Sequence, residues 1–391
     1  MLMKASSPRA ARRSAAHPLF GLLLLIVSAA AALAASTPAL AEIVLTDAAG
    51  REVRLDKPAE RIVTNESLIL LSLALIDPDP IAKIAGWASP HRIDRGMYEA
   101  FEERFPAIDN IPEIGGYFPT GGMVEGVLSV GADLVIIQYW QQAWEPIATQ
   151  LAAVGIPTIF LDGPETDALS PAEETRFSIK LVGNAIGRPK QAEEFSDFVA
   201  LHYDRVTRAL TDVKNRPTVL VDAHAGTECC STPGADNRLT EFLHLAKAKS
   251  IGADVPGYDG RLNPEAVLAA NPEIYIGTGG SHLSALGGLL LGGGVTPEKA
   301  LSSLQAVLAN SVRGKLQAVR EGQVYGISHQ LSISALNILM FECFAKWSHP
   351  EALEAVDPKE TLTAINTRFL AAPLEGTFWI ALEDDNFGPA P

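Results

Sequence analysis

Three histidines in the second half of the sequence each follow an apolar segment that predicts a β-strand. His224, His282 and His329 therefore lie where the carboxyl ends of parallel strands bring side chains together. Imidazole is a common ligand of zinc and other transition metals, so three converging rings can bind a bare metal ion. One ring alone can supply an axial ligand to haem, and a lone histidine is more often structural.

The chain has three cysteines, of which Cys229 and Cys230 are adjacent and Cys343 is distant. Adjacent cysteines can form a disulfide with each other, ligate a soft metal or remain reduced, and Cys343 can pair with one of them. The spacing does not choose among these arrangements. An odd number of cysteines does not predict the disulfide framework of a small secreted domain.

Aromatic residues are a second group of candidates for ligand contact. Tyr139 and Trp140 follow a predicted strand, and Trp144 lies just beyond them. Tyr117 and Tyr258 lie in other predicted loops. Flat aromatic walls suit chelates, corrins and porphyrins, and tryptophan also binds cations over its face. The alternative is that these rings cap the core of their domain.

Arg92 and Arg95 lie in a polar loop after a predicted strand. A guanidinium group matches the oxygens of carboxylate or catecholate groups, so either is a candidate partner of an anionic ligand. Each can equally be a solvated surface charge.

Motifs of common enzymes are absent from the sequence. It contains no G-x-S-x-G nucleophile elbow, no Walker A loop and no H-E-x-x-H zinc motif. Residues 277–282 follow a predicted strand but lack the third glycine of the dinucleotide-binding motif. No enzymatic activity and no intrinsic cofactor are therefore predicted.

Composition excludes nucleic-acid binding. The 391 residues carry a formal net charge of −15, with 47% hydrophobic and 20% charged residues. An acidic chain lacks the basic surface that nucleic-acid binding requires. The apolar content is sufficient for one large or two modest folded domains.

Residues 1–41 have the pattern of a secretory signal peptide. Four cations and no acid precede the apolar run 19–35, and residues 39–41 supply a small-x-small cleavage site before Glu42. The alternative is an uncleaved membrane anchor, since the run is close to the minimum spanning length. We expect cleavage and export to the periplasm.

Apolar segments alternate with helical patterns in two separate stretches of the chain. Strands are predicted in both stretches, at 61–64, 81–87, 134–137, 157–161, 218–221, 274–276 and 323–327. Between the stretches only helical spacing occurs, broken near Pro189 into two helices. The sequence predicts an α/β fold with two Rossmann-like lobes, 42–170 and 217–391, joined by linker helices at 171–216.

Two segments of the second stretch depart from the alternation. Residues 231–234 have the composition of a turn, so a loop is predicted there. Residues 281–300 are rich in glycine and have the character of an insertion.

An internal repeat links the two stretches. Residues 122–136 align without gaps to residues 262–276, and each copy places a glutamate, Glu125 or Glu265, in the first turn of a short predicted helix. A long period seen twice fits duplicated lobes, and coincidence between common helix–strand units is the alternative. Two such lobes place a ligand cleft between them.

A series of short motifs occurs in order along the chain. They are Arg61-Ile62-Val63, Ile84-Ala85-Gly86, Ile114-Gly115-Gly116, Glu125 followed by Asp133-Leu134-Val135, Gly155-Ile156-Pro157 and residues 316–325. In this order, over about residues 60–347, they resemble the periplasmic iron-chelate and cobalamin binding proteins of ABC importers. The sequence departs from the family at Gly131-Ala132, in the loop 228–230 and in the insertion 281–300, and the departures bear on the ligand class.

The resemblance implies two lobes that move little on ligand binding, a membrane permease as docking partner and a cytoplasmic ATPase that serves it. In the family, one surface glutamate on each lobe pairs with arginines of the permease, and Glu125 and Glu265 occupy the matching positions. Separated carboxylates orient a carrier and speed its encounter with the partner. The alternative role is stabilisation of a helix terminus, worth about 0.3–1 kcal/mol.

The sequence therefore predicts a monomeric substrate-binding component of an ABC importer. Its first candidate ligand is an iron chelate, in particular a ferric siderophore. Haem or cobalamin is the alternative within the same fold, and a metal ion is favoured only if the three histidines converge. A periplasmic enzyme on a nitrogenase-like two-lobed scaffold is the alternative from another class.

Overall fold

The computed structural model describes residues 42–119, 121–138 and 141–382. The predicted signal peptide lies outside these residues. The described chain begins with an antiparallel hairpin of β1 (Ile43–Thr46) and β2 (Glu52–Leu55). The Ala48 amide in its turn donates to the Phe160 carbonyl at 3.0 Å, which attaches the hairpin to the first lobe.

The first lobe is built on a parallel sheet of four short strands. In chain order its elements are β3 (Ile62–Thr64), α1 (Ile69–Ala74), β4 (Ile84–Trp87), α2 (Arg95–Arg104), α3 (Met123–Ser129), β5 (Leu134–Ile137), α4 (Glu145–Ala153) and β6 (Thr158–Phe160). The sheet order is β4-β3-β5-β6. Nearly every strand residue is buried, because helices cover both faces of a parallel sheet.

Two helices connect the lobes, α5 (Pro171–Ala185) and α6 (Pro189–Ala209). A capping box between Ser170 and Glu173 starts α5, and Gly187, with φ +74°, makes the turn before α6. The long helix α6 is amphipathic and buries one face in the core. Among the described residues, no helix is both long and apolar enough to cross a membrane.

The second lobe repeats the strand–helix alternation with more insertions. Its elements are β7 (Thr218–Asp222), β8 (Ser231–Pro233), α7 (Arg238–Leu245), β9 (Lys249–Ser250), β10 (Asp259–Arg261), α8 (Pro264–Ala270), β11 (Ile274–Gly279), β12 (Gly292–Gly293), α9 (Pro297–Leu308), α10 (Gln317–Arg320), β13 (Val324–Ser328), α11 (Asn337–Ser348), α12 (Pro358–Arg368), β14 (Gly376–Thr377) and β15 (Trp379–Ala381). The main sheet has the order β15-β13-β11-β7-β9, in which only β15 runs antiparallel to its neighbour. The predicted α/β fold class is confirmed.

The loop predicted at residues 231–234 is wrong for its first three positions. Ser231–Pro233 forms β8 and pairs antiparallel with β10, so that Ser231 lies opposite Arg261. Proline and glycine gave a local turn signal, but pairing with a segment about thirty residues away overrides local preference. Thr232 and Pro233 are buried by that pairing.

The amino-terminal end of α2 is one of the places where the first lobe contacts the second. Asp94 caps α2 by accepting a hydrogen bond from the Gly96 amide at 3.0 Å. The Gly293 amide and the Ser281 hydroxyl of the second lobe lie near the same carboxylate and favour its charged form. Gln330 adds a direct link, since its Oε1 accepts from the Asp94 amide at 2.9 Å. Buried Asp94 therefore lies in a contact between the two lobes.

The glycine-rich segment predicted as an insertion forms the other side of this contact. It runs from a 3-10 turn at Ser281–Leu286 into β12, which pairs with β14. Gly96 and Gly293 approach so closely that a Cβ atom on Gly96 would lie 2.0 Å from the Gly293 carbonyl oxygen. Only glycine permits this approach of two backbones.

We expect Gly96→Ala to destabilise the protein by about 1–3 kcal/mol, because the added methyl forces the two backbones apart. Urea unfolding followed by tryptophan fluorescence measures the loss. Gly121→Ala is the matched control, since a Cβ atom there meets no heavy atom within 4 Å. A Gly96→Ala protein as stable as the control would contradict the assigned contact.

Candidate functional site

A cavity of about 570 Å³ lies between the two lobes. Its walls come from the first lobe, the linker helix α5 and the second lobe, including Arg92, Tyr117, His224, Tyr258 and His329. This volume is in the range of small-molecule sites. The cavity brings together five of the residues that the sequence predicted as ligand contacts.

The wall from the first lobe is organised around Arg92, which ends a 3-10 turn after β4. Its Nε donates to the carboxylate of fully buried Glu66, and its guanidinium group lies 4.2 Å from the centre of the Tyr117 ring. Burial raises the pKa of Glu66, and the nearby Arg92 opposes that rise. Burial also raises the pKa of Tyr117, so its phenol stays neutral and can donate a hydrogen bond.

The wall from the second lobe contains His224 and His329, and His282 contacts His224 beside it. The three histidines converge as their positions after strands β7, β11 and β13 predicted. Nδ1 of His224 and Nε2 of His282 are 3.1 Å apart, and the ring centres of His224 and His329 are 3.9 Å apart. The Thr278 hydroxyl joins the group, accepting from the His224 amide at 2.8 Å and contacting Nδ1 of His329 at 3.1 Å. The carboxyl ends of adjacent parallel strands explain this convergence.

The histidines are held in their neutral form. Burial lowers the pKa of His224 to about 4, with the nearby His282 and Arg92 charges adding to the effect. Burial also lowers the pKa of His282 and, to a greater extent, that of His329. His224 nevertheless presents an exposed edge of its side chain toward the cavity. A neutral imidazole can coordinate a metal, whereas an imidazolium cannot.

Hydrogen bonding defines which nitrogen of His224 can reach a ligand. The contact with His282 occupies Nδ1, which leaves Nε2 as the nitrogen that can coordinate. His224 also adopts a left-handed backbone conformation, with φ 51°, which is uncommon for a residue other than glycine.

Within the described residues, no group of three or more histidine, cysteine, aspartate or glutamate side chains is arranged to hold a metal ion.

The aromatic candidates are distributed differently from the prediction. Tyr258 lines the cavity with 53% of its surface exposed. Trp144 is fully buried in the core of the first lobe, so the prediction that it contacts the ligand is wrong. It ends a 3-10 turn that leads into α4, and that helix packs against the sheet. Tyr139 and Trp140 lie outside the described residues.

The two arginines predicted as candidate ligand contacts also lie in different surroundings. Arg92 lines the cavity, whereas Arg95 has 83% of its side chain exposed and pairs with Glu99 at 2.8 Å. Arg238 lines the cavity as well and pairs with Glu174 of the linker helix α5. No local sequence pattern indicates this pair, because its two residues are 64 positions apart.

The cysteines lie outside the lining of the cavity. A disulfide joins Cys229 and Cys230, and Cys343 is a free thiol buried in α11. Arg313, itself fully buried, holds the loop before the disulfide by donating to the Gly226 and Glu228 carbonyls at 2.9 and 2.8 Å. Burial raises the pKa of the Cys343 thiol well above its ordinary value, which makes it unreactive.

Glu125 and Glu265 occupy equivalent positions on the two lobes. Each is exposed in the first turn of a seven-residue helix, α3 or α8. Each is followed three residues later by an exposed leucine, Leu128 at 47% and Leu268 at 36%. Residues three apart share a helix face, so both lobes present a carboxylate beside an apolar side chain.

Known proteins share this fold. A family model described as periplasmic binding protein matches residues 62–331. The TroA-like periplasmic binding protein FepB from Veillonella parvula is 27% identical, with a TM-score of 0.79 over 87% of this chain and 99% of that chain. No curated protein sequence matches this chain.

More distant structures show the shared fold alone. The molybdate-bound periplasmic binding protein MolA from Haemophilus influenzae is 15% identical, with a TM-score of 0.64 over 85% of this chain and 99% of that chain. CeuE from Helicobacter pylori, solved as a nickel–histidine complex, is 15% identical, with a TM-score of 0.59 over 85% of this chain and 96% of that chain.

The family match covers more than half of the sequence, and it agrees with the two-lobed fold and the cavity between the lobes. The chain therefore belongs to the periplasmic binding protein family of ABC importers. The resemblance predicted from the ordered motifs is confirmed. Members of this family bind substrates for a permease and its ATPase, and the family is not one of enzymes.

The lowered pKa of His224 predicts how stability depends on pH. An unfolded histidine titrates near its ordinary pKa of about 6.5, whereas folded His224 has a pKa of about 4. Between these values the unfolded chain binds a proton that the folded chain does not, so the free energy of unfolding falls as pH falls through this window. The exposed edge of the ring moderates the effect.

We expect His224→Gln to reduce the fall in stability between neutral pH and about pH 4, because glutamine does not titrate. Urea unfolding at a series of pH values measures it. His244→Gln, at an exposed position outside the cavity lining, is the control and should leave that fall at its wild-type size. Identical pH profiles for the wild type and the His224 variant would contradict the neutral state assigned to this ring.

Proposed function

We propose that this protein captures a metal chelate, in the first place a ferric siderophore, in the cavity between its lobes and delivers it to a membrane permease. The observation that carries this proposal is the neutral His224 imidazole at the edge of a cavity of about 570 Å³. Tyr117 and Tyr258 border the same cavity and supply phenol groups for the organic part of a chelate.

The size of the cavity favours a chelate over a bare ion. A metal ion fills only a small fraction of this volume, whereas a siderophore complex occupies a space of this order. A chelator brings most or all of the donor atoms itself, so one imidazole is sufficient, as the last metal ligand of an unsaturated complex or as a hydrogen-bond partner of a chelator oxygen in a saturated one. A bare ion would need three or more ligands from the protein.

Titration of the purified protein with ferric chelates tests the ligand class. We expect tryptophan quenching, and a visible charge-transfer band that stays with the protein when free chelate is removed. We expect His224→Ala to weaken binding at least about tenfold, since it removes the imidazole contact with the chelate. His244→Ala is the control and should bind as the wild type does. A Soret band shifted from that of free haem would favour haem, and tight binding of Zn²⁺ or Ni²⁺ without any binding of chelates would contradict the proposal.

Export and docking complete the proposed role. A cleaved signal peptide at residues 1–41 would release the chain into the periplasm, where the permease is accessible. Glu125 and Glu265 are supported as docking contacts by their exposure, by their equivalent positions in both lobes and by the leucine that follows each on the same helix face. Matched contacts at two points define an orientation as well as an affinity.

Charge reversal tests the docking contacts. We expect Glu125→Arg combined with Glu265→Arg to abolish uptake of the chelate by cells while leaving its dissociation constant unchanged, because repulsion replaces attraction at both lobes. Glu103→Arg combined with Glu354→Arg is the matched control, since it reverses one exposed glutamate on each lobe elsewhere. Normal uptake by the first double variant, or equal loss in the control, would refute the assignment.

A further inference from the structure

The charges around the cavity restrict the kind of chelate that it accepts, provided that the proposed function holds. Six acids line the cavity, contributed by the first lobe, the linker helix and the second lobe: Asp162, Asp167, Glu174, Asp236, Glu241 and Asp259. Among the described lining residues, the cations are Arg92 and Arg238, and lysine does not occur.

Both arginines are already paired with acids. Arg92 bonds to the carboxylate of Glu66, which lies fully buried behind it. Arg238 bonds to Glu174 and, at 3.2 Å, to Glu241. Neither guanidinium group therefore offers the uncompensated positive charge that an anionic ligand requires.

The excess of negative charge does not depend on every acid being ionised. Burial raises the pKa of Glu66, Glu241 and Asp259. If these three are counted as neutral, Arg92 loses the charge of its partner Glu66, yet four acids, Asp162, Asp167, Glu174 and Asp236, still face two arginines. The field in the cavity is negative in either case.

The histidines do not reverse this balance. His224 and His329 are the other side-chain bases among the described lining residues, and even with both protonated the six acids outnumber the four cationic groups. The residues between 42 and 382 that the structure does not describe are Thr120, Tyr139 and Trp140, all uncharged in the sequence.

We infer that the cavity selects a chelate complex of zero or positive net charge and rejects anionic complexes. Ferric iron bound by three hydroxamate groups is neutral, and a pendant ammonium makes such a complex positive. Ferric iron bound by three catecholate groups is triply negative. Each added negative charge meets repulsion from the acids on both sides of the cavity, so affinity falls with every step toward an anionic ligand.

A charge series on one iron centre tests the inference. Ferrioxamine B carries a pendant ammonium, its N-acetyl derivative is neutral and its N-succinyl derivative is negative, while the three hydroxamates around iron remain the same. We expect the dissociation constant to rise about three- to tenfold for each step in this order at about 20 mM salt, and the differences to shrink at about 500 mM salt. Tryptophan quenching measures all three constants.

Substitution of two cavity acids tests whether the preference for ligand charge arises in the cavity. Asp167 and Asp236 are both exposed in the cavity, one on each lobe. Asp167→Asn combined with Asp236→Asn should reduce the differences within the series. Asp212→Asn removes an exposed acid outside the lining and is the control, in which the differences should keep their wild-type size.

The outcomes separate the inference from the proposed function. Three outcomes overturn the inference and leave the proposed function standing. They are equal affinity across the series, tighter binding of the succinyl derivative, and binding of a triply negative tris-catecholate complex in preference to the series. Absence of binding by every chelate, including the tris-catecholate complex, overturns both. The predicted order of dissociation constants supports both the inference and the proposed function if the double variant reduces the differences within the series and the control leaves them unchanged.

Discussion

One buried acid, Asp94, lies where the two lobes meet beside the site. It caps α2 in the first lobe, and its backbone amide donates to Gln330 of the second. Burial raises the pKa of Asp94, while the amide and hydroxyl groups around it, including Gly293 and Ser281 of the second lobe, favour the charged form. Arg92 lies two residues before Asp94 and His282 follows Ser281 directly, so the same contact fixes one residue on each side of the cleft.

From this contact a chain of interactions leads to the site. Asp94 is close enough to His282 for its charge to oppose the lowering of the histidine pKa. His282 in turn occupies Nδ1 of His224 and fixes the orientation of that ring. A ligand bound to His224 is therefore one hydrogen bond and one charge interaction away from the contact between the lobes. Close packing of Gly96 on Gly293 leaves little freedom for the lobes to slide.

Local sequence patterns predicted the elements of this fold better than they predicted its contacts. Leu134–Ile137 was predicted without error because a short apolar run between turn signals is typical of a buried parallel strand. The convergence of the histidines followed from the same logic, since strand order alone brings the ends of β7, β11 and β13 together. By contrast, β8 depends on a distant partner, and no local pattern indicates it.

Apart from Arg92, the charged groups of the cavity are not indicated by the sequence, for the same reason. Pairing of Arg238 with Glu174 joins the second lobe to the linker helix, and neither residue lies in a motif. Trp144 was assigned to the cleft because aromatic residues suit ligands, but its position at the start of α4 directs it into the core instead. Side-chain direction at a helix start depends on how the helix packs, which composition does not reveal.

The inferred preference for ligand charge and the closure of the lobes have a common physical origin. Asp162 and Asp167 line the cavity from the first lobe, and Asp236 and Asp259 line it from the second. Like charges on opposite walls repel each other, so an empty cavity works against the contacts that Asp94 makes. An anionic ligand would add to this repulsion, whereas a positive complex would offset it. A positive ligand would then also favour the contact that Asp94 makes between the lobes, because its binding reduces the repulsion between them.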